Sequence, residues 1–329
     1  MQDFDIMIEH LKETPKRIVF SEGTDPRILG AASRLLASYF LTPLLIGKPE
    51  EIKKAAEIYG YNIRGAQIID PLTYEKMDEM VDLFCELRKS KHITHEEAHE
   101  ILSHENYFGT MLVKMNLADC LLGGATYSTS DTVRPALQIV RTKPGHHIVS
   151  SCFILVRPSA TGQNEVLAMA DCAVNICPTA EELAEIAIAC AECGKSFGID
   201  PKIAFLSHST FGSGKGDNVD KMRTAAAKAK LLRPDLPIDG ELQFDAAVSP
   251  QVANTKCPGN TVAGHANIFI FPDVTAGNIG YKIAQRMGNF QAYGPILLGL
   301  NASINDLSRG CNADEVYSMA IITAALAQS

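Results

Sequence analysis

The chain has 329 residues, 46% of them hydrophobic and 21% charged, a size and balance that fit one large α/β domain or two and exclude a disordered or low-complexity protein. Its formal net charge is −8, with lysines and arginines dispersed, so it offers no basic face for nucleic acid and must hold any anionic ligand with local groups. No apolar run reaches the roughly eighteen residues of a membrane span, and MQDFDIMIEHLKE mixes charges into its apolar positions where a signal peptide would have a hydrophobic core; a cytoplasmic protein without membrane contact is expected.

The first half repeats one pattern: a short apolar or β-branched run, a turn, then apolar positions at helical spacing. Residues 18–20 predict a strand, SEGTDP a turn and residues 28–39 a helix, and the pair recurs at 44–46 and 50–59. Residues 67–69 are the next strand, followed by a long helix over 74–90, two helical stretches within 96–115, the strand-like ADCLLGG and a helix over 134–140. Such alternation predicts a parallel sheet covered by helices on both faces.

The polar segment KPGHH at Lys143 marks a crossing between domains. Beyond it, residues 147–156, 173–176, 203–206 and 268–271 predict strands, with helices between them. One of these helices, over 181–195, carries Cys190 and Cys193, which read as buried free thiols in preference to a redox or zinc pair. A strand over 295–300, the loop INDLSRG and a helix over 313–327 close the chain.

Ligands of open α/β sheets bind at the carboxyl ends of strands, which directs attention to SEGTDPR, GGATYSTSDTVR, SHSTFGSGKGD, FPDVTAGNIGYK and INDLSRGCNADE. The last puts Ser308, Arg309, Asp314 and Glu315 at the start of a helix. A hydroxyl beside a guanidinium, with helix N-terminal amides, can hold a phosphoryl group or a developing oxyanion, and a nearby carboxylate can take a proton from a nucleophile. Asn312 and Glu315 also have capping-box spacing, so Glu315 has a structural reading beside the catalytic one.

The loop 207–217 contains three glycines, Ser209, Thr210 and Lys215 and suits either a backbone nest around phosphate or a flexible turn; it matches neither a Walker A loop nor GxGxxG. HEEAH at 95–99 has the two-histidine spacing of a zinc helix. Thr94 and Glu97 form a capping box there, however, and the solvated face of a short helix is the expectation, with no metal site. Arg88 in ELRKSK ends a helix, where its charge suits the dipole, whereas Arg134 in DTVRPALQIV opens one, an unfavourable place unless it meets an anion.

Taken together these stretches resemble the phosphotransacetylases. The likeness covers nearly the whole chain, through KRIVFSEGTDPR, ELRKSK, SDTVRPALQIV, ELQFDAA, FPDVTAGNIGYKIAQR and GPILLGLNASINDLSRGCNADEVY. It implies two α/β domains with a cleft between them, similar to the isocitrate and isopropylmalate dehydrogenases, the first from residues 1–145 and 295–329 and the second from 146–294. It implies a homodimer that catalyses reversible acetyl transfer between coenzyme A and phosphate, by direct thiolate attack in a ternary complex. A phosphate butyryltransferase is the alternative.

Coenzyme A and acetyl-CoA, phosphate and acetyl phosphate are the implied substrates, with no separate cofactor. By position, Ser308 and Arg309 match the pair thought to bind phosphate and stabilise the transition state, and Arg88 and Arg134 match arginines that bind anionic substrates. The family's basic aspartate is matched by Glu315, with Asp314 as the alternative. Ser209, Thr210, Asn278, Tyr281 and Lys282 are the further substrate-binding candidates. Relatives carry lysine in an STKGS-like loop where this chain has Phe211, and Lys215 is the candidate to replace that charge.

Overall fold

Consecutive apolar residues such as Ile18, Val19 and Phe20, or Leu44, Leu45 and Ile46, leave no side of a strand for water, and all six are buried as expected for inner parallel strands. The computed structural model describes residues 2–159, 162 and 164–327, with side chains from Ile6 onward. The chain begins with α1 (Gln2–Glu13), β1 (Lys16–Phe20), α2 (Pro26–Ser38), β2 (Leu41–Ile46), α3 (Pro49–Tyr59) and β3 (Gln67–Ile69). It continues through α4 (Met77–Leu87), α5 (His95–Leu102), α6 (Glu105–Lys114), β4 (Cys120–Gly123) and α7 (Thr129–Ile139).

The middle supplies β5 (Ser150–Pro158), β6 (Asn164–Ala170), α8 (Ala180–Lys195), β7 (Ile203–Leu206), α9 (Asp217–Leu232) and β8 (Ile238–Leu242). After these come α10 (Phe244–Val248), α11 (Pro250–Lys256), β9 (Ile268–Ile270), α12 (Val274–Met287) and β10 (Gln291–Leu298), and the chain returns through β11 (Ser303–Asp306) and α13 (Ala313–Ala325). Two compact units result, Met1–Pro144 with Leu300–Ser329, and Gly145–Gly299.

In the first unit a five-stranded sheet has the order β11-β4-β1-β2-β3, and every pairing is parallel. The carboxyl ends of its strands therefore share one edge, from which the loops at Ser21, Gly47, Asp70, Gly124 and Leu307 depart. Helix α2 starts at that edge because Pro26 sets its first turn and Asp25 accepts the Arg27 amide as N-cap. Helix α13 packs on α2, β1 and β4, closing the core with Val316, Met319, Ala320 and Ile322.

The second unit has a six-stranded sheet of order β10-β5-β6-β9-β7-β8. Its β10–β5–β6 side is antiparallel and the remainder parallel. Three sequence expectations are corrected here. Residues 173–176 are not a strand, because the Asp171 carboxylate accepts the amides of Ala173, Val174 and Asn175 and curls the segment into a loop. The strand is β6, just before it, and β8 was likewise not read. Residues 295–299 belong to the second unit, since β10 pairs with β5 as far as Leu298 opposite Ser150, and the chain rejoins the first unit at Leu300, bridged to Thr142. Cys190 and Cys193 are buried and free on α8, with Cys193 Sγ 3.8 Å from Cys152 Sγ.

Candidate active site

Strand β11 ends at Asp306, and the Leu307 amide then donates to the Gly123 carbonyl at 2.7 Å. Ser308 and Arg309 follow at an exposed tip, before Asn312 starts α13. Arg27 pins the tip from α2. Its Nη1 donates to the Arg309 carbonyl at 2.7 Å and the Cys311 carbonyl at 3.3 Å, and its Nη2 to the Ala125 carbonyl at 2.7 Å and Asp25 Oδ2 at 2.8 Å. Burial acts to raise the Asp25 pKa, but the hydrogen bonds and charge of Arg27 hold it below the ordinary value. The backbone of the tip is fixed while the Ser308 and Arg309 side chains stay exposed. Burial pushes the nearby Cys311 thiol up to about 11, with Arg27 offsetting part of the rise, so this cysteine is a poor nucleophile.

Asp306 is the residue that reasoning from sequence missed. It is 1% exposed, and its two carboxylate oxygens accept from Thr132 Oγ1 and Thr129 Oγ1, each at 2.6 Å. Burial pushes its pKa up to about 6, against the partial offset of Thr129, Thr132, the Leu307 amide and the Arg309 charge. Gly124 faces it with φ +96°, and a Cβ there would lie 2.2 Å from Asp306 Oδ1. Glycine is therefore required on both counts.

A cavity of about 620 Å³ opens at the strand ends of this unit, lined by Ser21, Glu22, Gly47, Asp70, Asn106 and Tyr127 among others. Glu22 accepts from the Thr126 amide at 2.8 Å and the Gly124 amide at 3.2 Å, and burial raises its pKa against those bonds.

The capping-box reading of Glu315 holds: its amide donates to Asn312 Oδ1 at 2.9 Å, and its Oε2 accepts the Asn312 amide at 3.0 Å. Asp314 instead pairs with Arg34 at 2.5 Å, and Arg34 lies 4.0 Å over the Tyr317 ring.

Arg88 is the C-cap of α4, and its Nε is buried without a hydrogen-bond partner. Arg134 is exposed in the second turn of α7, not at its opening as the sequence suggested, because Ser128 and Asp131 start the helix earlier with a capping box. The structure brings both arginines to Tyr107, whose phenol burial raises and whose pKa the charges of Arg134 and Arg88 lower.

In the second unit the loop 207–217 is closed on itself. Ser209 is fully buried, donates to Glu241 Oε1 at 2.9 Å and accepts the Gly214 amide at 2.8 Å. Thr210 Oγ1 accepts the Gln243 amide at 3.0 Å, and the Gly212 amide donates to Glu241 Oε1 at 2.7 Å. Glu241 is fully buried and meets Arg223 Nε at 3.0 Å. Burial acts to raise its pKa, yet Arg223, the Gly212 amide and Ser209 bring it below the ordinary value. Of the two readings of this loop, nest and turn, the described geometry is that of a closed turn: the Gly212 and Gly214 amides and both hydroxyls hold the loop's own shape, leaving Phe211, Ser213 and Lys215 exposed.

On α12, Asn278 donates to the Cys172 carbonyl at 3.1 Å and Lys282 is exposed. Tyr281 is a core side chain, 9% exposed. Its ring stacks on Phe153 with centroids 3.8 Å apart, and burial pushes its phenol to about 12. At HEEAH, Glu97 closes the capping box with Thr94, and among the described residues no three His, Cys, Asp or Glu side chains are grouped to hold a metal.

The sequence profile of the family described as Phosphate acetyl/butaryl transferase matches residues 4–324. A phosphate acetyltransferase of Bacillus subtilis (strain 168) is 51% identical over 324 residues, covering 98% of each chain. Among solved structures, a phosphotransacetylase from Streptococcus pyogenes is similar with a TM-score of 0.91 and 51% identity over 98% of each chain. One from Staphylococcus aureus has a TM-score of 0.88 and 45% identity over 99% of each.

Proposed function

Because this chain belongs to the Phosphate acetyl/butaryl transferase family, we propose that the strand-end edge of its first unit carries reversible acetyl transfer, acetyl-CoA and phosphate giving coenzyme A and acetyl phosphate. The chain is an acyltransferase, and acetyl is the group it moves. The observation that carries the assignment of residues is the exposed Ser308–Arg309 tip, whose backbone Arg27 holds rigid. Fixed donors aimed at developing charge need no reorganisation during reaction.

In the direction of acetyl-CoA synthesis, the thiol of coenzyme A has a pKa near ~8.5 if it resembles free cysteine, so a base speeds its ionisation. Glu315 takes that proton. Its recorded hydrogen bond from Asn312 uses Oε2 and leaves Oε1, whereas Asp314 is committed to Arg34. The thiolate then attacks the acetyl carbonyl carbon of acetyl phosphate, the bond from that carbon to the bridging oxygen breaks, and Ser308 and Arg309 take up charge on carbonyl and phosphoryl oxygens. No acyl-enzyme forms and no further cofactor or metal is required.

Arg88 and Arg134 hold the anionic substrate. A buried guanidinium nitrogen without a partner at Arg88 supports this, since such a group is costly unless a ligand meets it. Ile279, Ile283 and Met287 on α12, 54%, 54% and 81% exposed, form an apolar stripe at four-residue spacing that supports a homodimer. Nine free cysteines favour a reducing compartment, the cytoplasm.

The test is release of free thiol from acetyl-CoA on adding phosphate, without added metal. Absence of phosphate-dependent thiol release sinks the assignment. Within an active protein, Glu315→Gln is expected to lower turnover by roughly a hundredfold and Asp314→Asn to leave it near normal; the reverse pattern moves the base to Asp314.

A further inference from the structure

The proposed chemistry leaves Asp306 without a task, yet its surroundings are built. Two residues further on lies the Ser308–Arg309 tip. Against the carboxylate lies the first turn of α7, with Thr129 and Thr132 donating to opposite oxygens at 2.6 Å. Tyr127 Oη is 2.7 Å from Ser21 Oγ, and Ser21 reaches Glu22 Oε2 at 3.3 Å. Ser21, Glu22 and Tyr127 line the cavity. The charged and titratable groups around Asp306 are Arg309 from its own loop and Tyr127 behind it, with Glu22 beyond.

Two neutral hydroxyls are a weak counterpart for a buried carboxylate, and apolar residues would hold a strand end at lower cost. What the arrangement supplies is direction. Donors on opposite oxygens fix the plane of the carboxylate, and with it the path on which the chain leaves β11.

We propose that Asp306 is a positioning residue for acetyl transfer: through Thr129 and Thr132 it sets the Ser308–Arg309 tip in register with the turn that leads to Arg134. This rests on the roles given above to Ser308 and Arg309. The start of α7 has its own support, the capping box in which the Ser128 amide donates to Asp131 at 3.2 Å. Loss of Asp306 therefore disturbs the tip more than Arg134.

Steady-state kinetics and thermal melting of the full chain test this. Asp306→Asn is expected to lower kcat about tenfold or more, the scale of a small misplacement, while KM for coenzyme A stays within about threefold. Its Tm at pH 8 should not fall. Wild-type log kcat should bend down below about pH 6, where Asp306 gains a proton, and Asp306→Asn should lack that limb. Thr132→Val should lose turnover, and Thr132→Ser should regain most of it. Normal kcat in Asp306→Asn, a kcat loss that only follows a lowered Tm, or equal impairment of the two Thr132 variants overturns the inference. A wild-type protein inactive with acetyl-CoA and phosphate would instead overturn the acetyl-transfer reading beneath it.

Discussion

Each unit of the molecule has a hydroxyl-rich loop at the carboxyl edge of its sheet, backed by a buried carboxylate, and the two are built to opposite ends. Behind the 207–217 loop, Glu241 is matched by Arg223 and has its pKa lowered. That loop turns Ser209, Thr210 and two amides inward. Behind the Ser308–Arg309 tip, Asp306 has two threonine hydroxyls, the Leu307 amide and the nearby Arg309 charge but no ion pair of its own, its pKa is pushed up to about 6, and the tip turns its side chains outward. A satisfied carboxylate accompanies a loop that holds shape, and a poorly satisfied one accompanies the loop assigned to chemistry. Proteins tolerate unfavourable local states chiefly where function depends on them.

The largest effect expected from this contrast is on turnover. Arg309→Gln should lower kcat by roughly a hundredfold or more, about 2.7 kcal/mol of transition-state stabilisation, with little change in melting temperature. Ser209→Ala should do the reverse, lowering stability while an assay well below the melting transition still finds turnover within a few fold. Exchange of these two outcomes would break the comparison.

Next in size is the stability of the second unit. Arg223→Met leaves the buried Glu241 without its cationic partner, and urea denaturation should show a lowered midpoint, moderated because the Arg223 side chain is 48% exposed. An unchanged midpoint would mean that the Ser209 hydroxyl and the Gly212 amide suffice.

The sign of the pH dependence sharpens the contrast further. Asp306 has its folded pKa raised from 3.8 to about 6, so its contribution to stability is present at low pH and is lost as pH rises through about 6. At neutral pH its ionised form then costs about 3 kcal/mol relative to the unfolded chain. Glu241 has its pKa lowered from 4.5, so its contribution is present above that value and lost as pH falls below it. Melting curves of wild type, Asp306→Asn and Glu241→Gln between pH 4 and pH 8 should therefore diverge in opposite directions as pH rises, with Asp306→Asn gaining on wild type and Glu241→Gln losing. Parallel behaviour of the two variants would remove the distinction.

The smallest effects belong to the start of α13. By cap energetics Glu315→Gln should cost at most about 1 kcal/mol of stability. Asp314→Asn should cost less than that, because its partner Arg34 and Asp314 itself are 47% and 86% exposed. Chemical denaturation measures both, and a larger loss in Asp314→Asn would mean that this ion pair anchors the helix.

Much of this architecture was legible because its signals are local. Runs such as Ile18-Val19-Phe20 announce inner strands, Thr94 with Glu97 and Asn312 with Glu315 announce helix starts, and INDLSRG announces a loop of chemical interest. What was not legible depends on partners far apart in sequence. Asp306 takes its character from Thr132, 174 residues away, and Glu241 takes its own from Ser209 and Arg223. Without burial, a loop of serine, threonine and glycine reads equally as an anion nest or as a self-closed turn, so the reading of Ser209 and Thr210 stayed open. Nor does a helix-borne tyrosine such as Tyr281 announce the Phe153 ring stacked on it. Strand β6 was passed over since the curl set by Asp171 just after it mimics a short apolar strand.

The return of the chain through Leu300 has a consequence for synthesis. Strand β11 pairs with β4, yet the whole of Gly145–Gly299 is made between them, an interval on the order of ten seconds at usual elongation rates. Throughout that time β4 is an open edge of the first sheet, a template for wrong partners, and the second unit receives its last strand, β10, before β11 is made. The nascent protein therefore passes through a stage with one unit complete and the other lacking both its border strand and its Ser308–Arg309 tip. Ribosome-bound chains stopped before β11 should bind chaperones or aggregate through the first unit, and a strand complementary to β4, supplied in trans as residues 300–329, should suppress this.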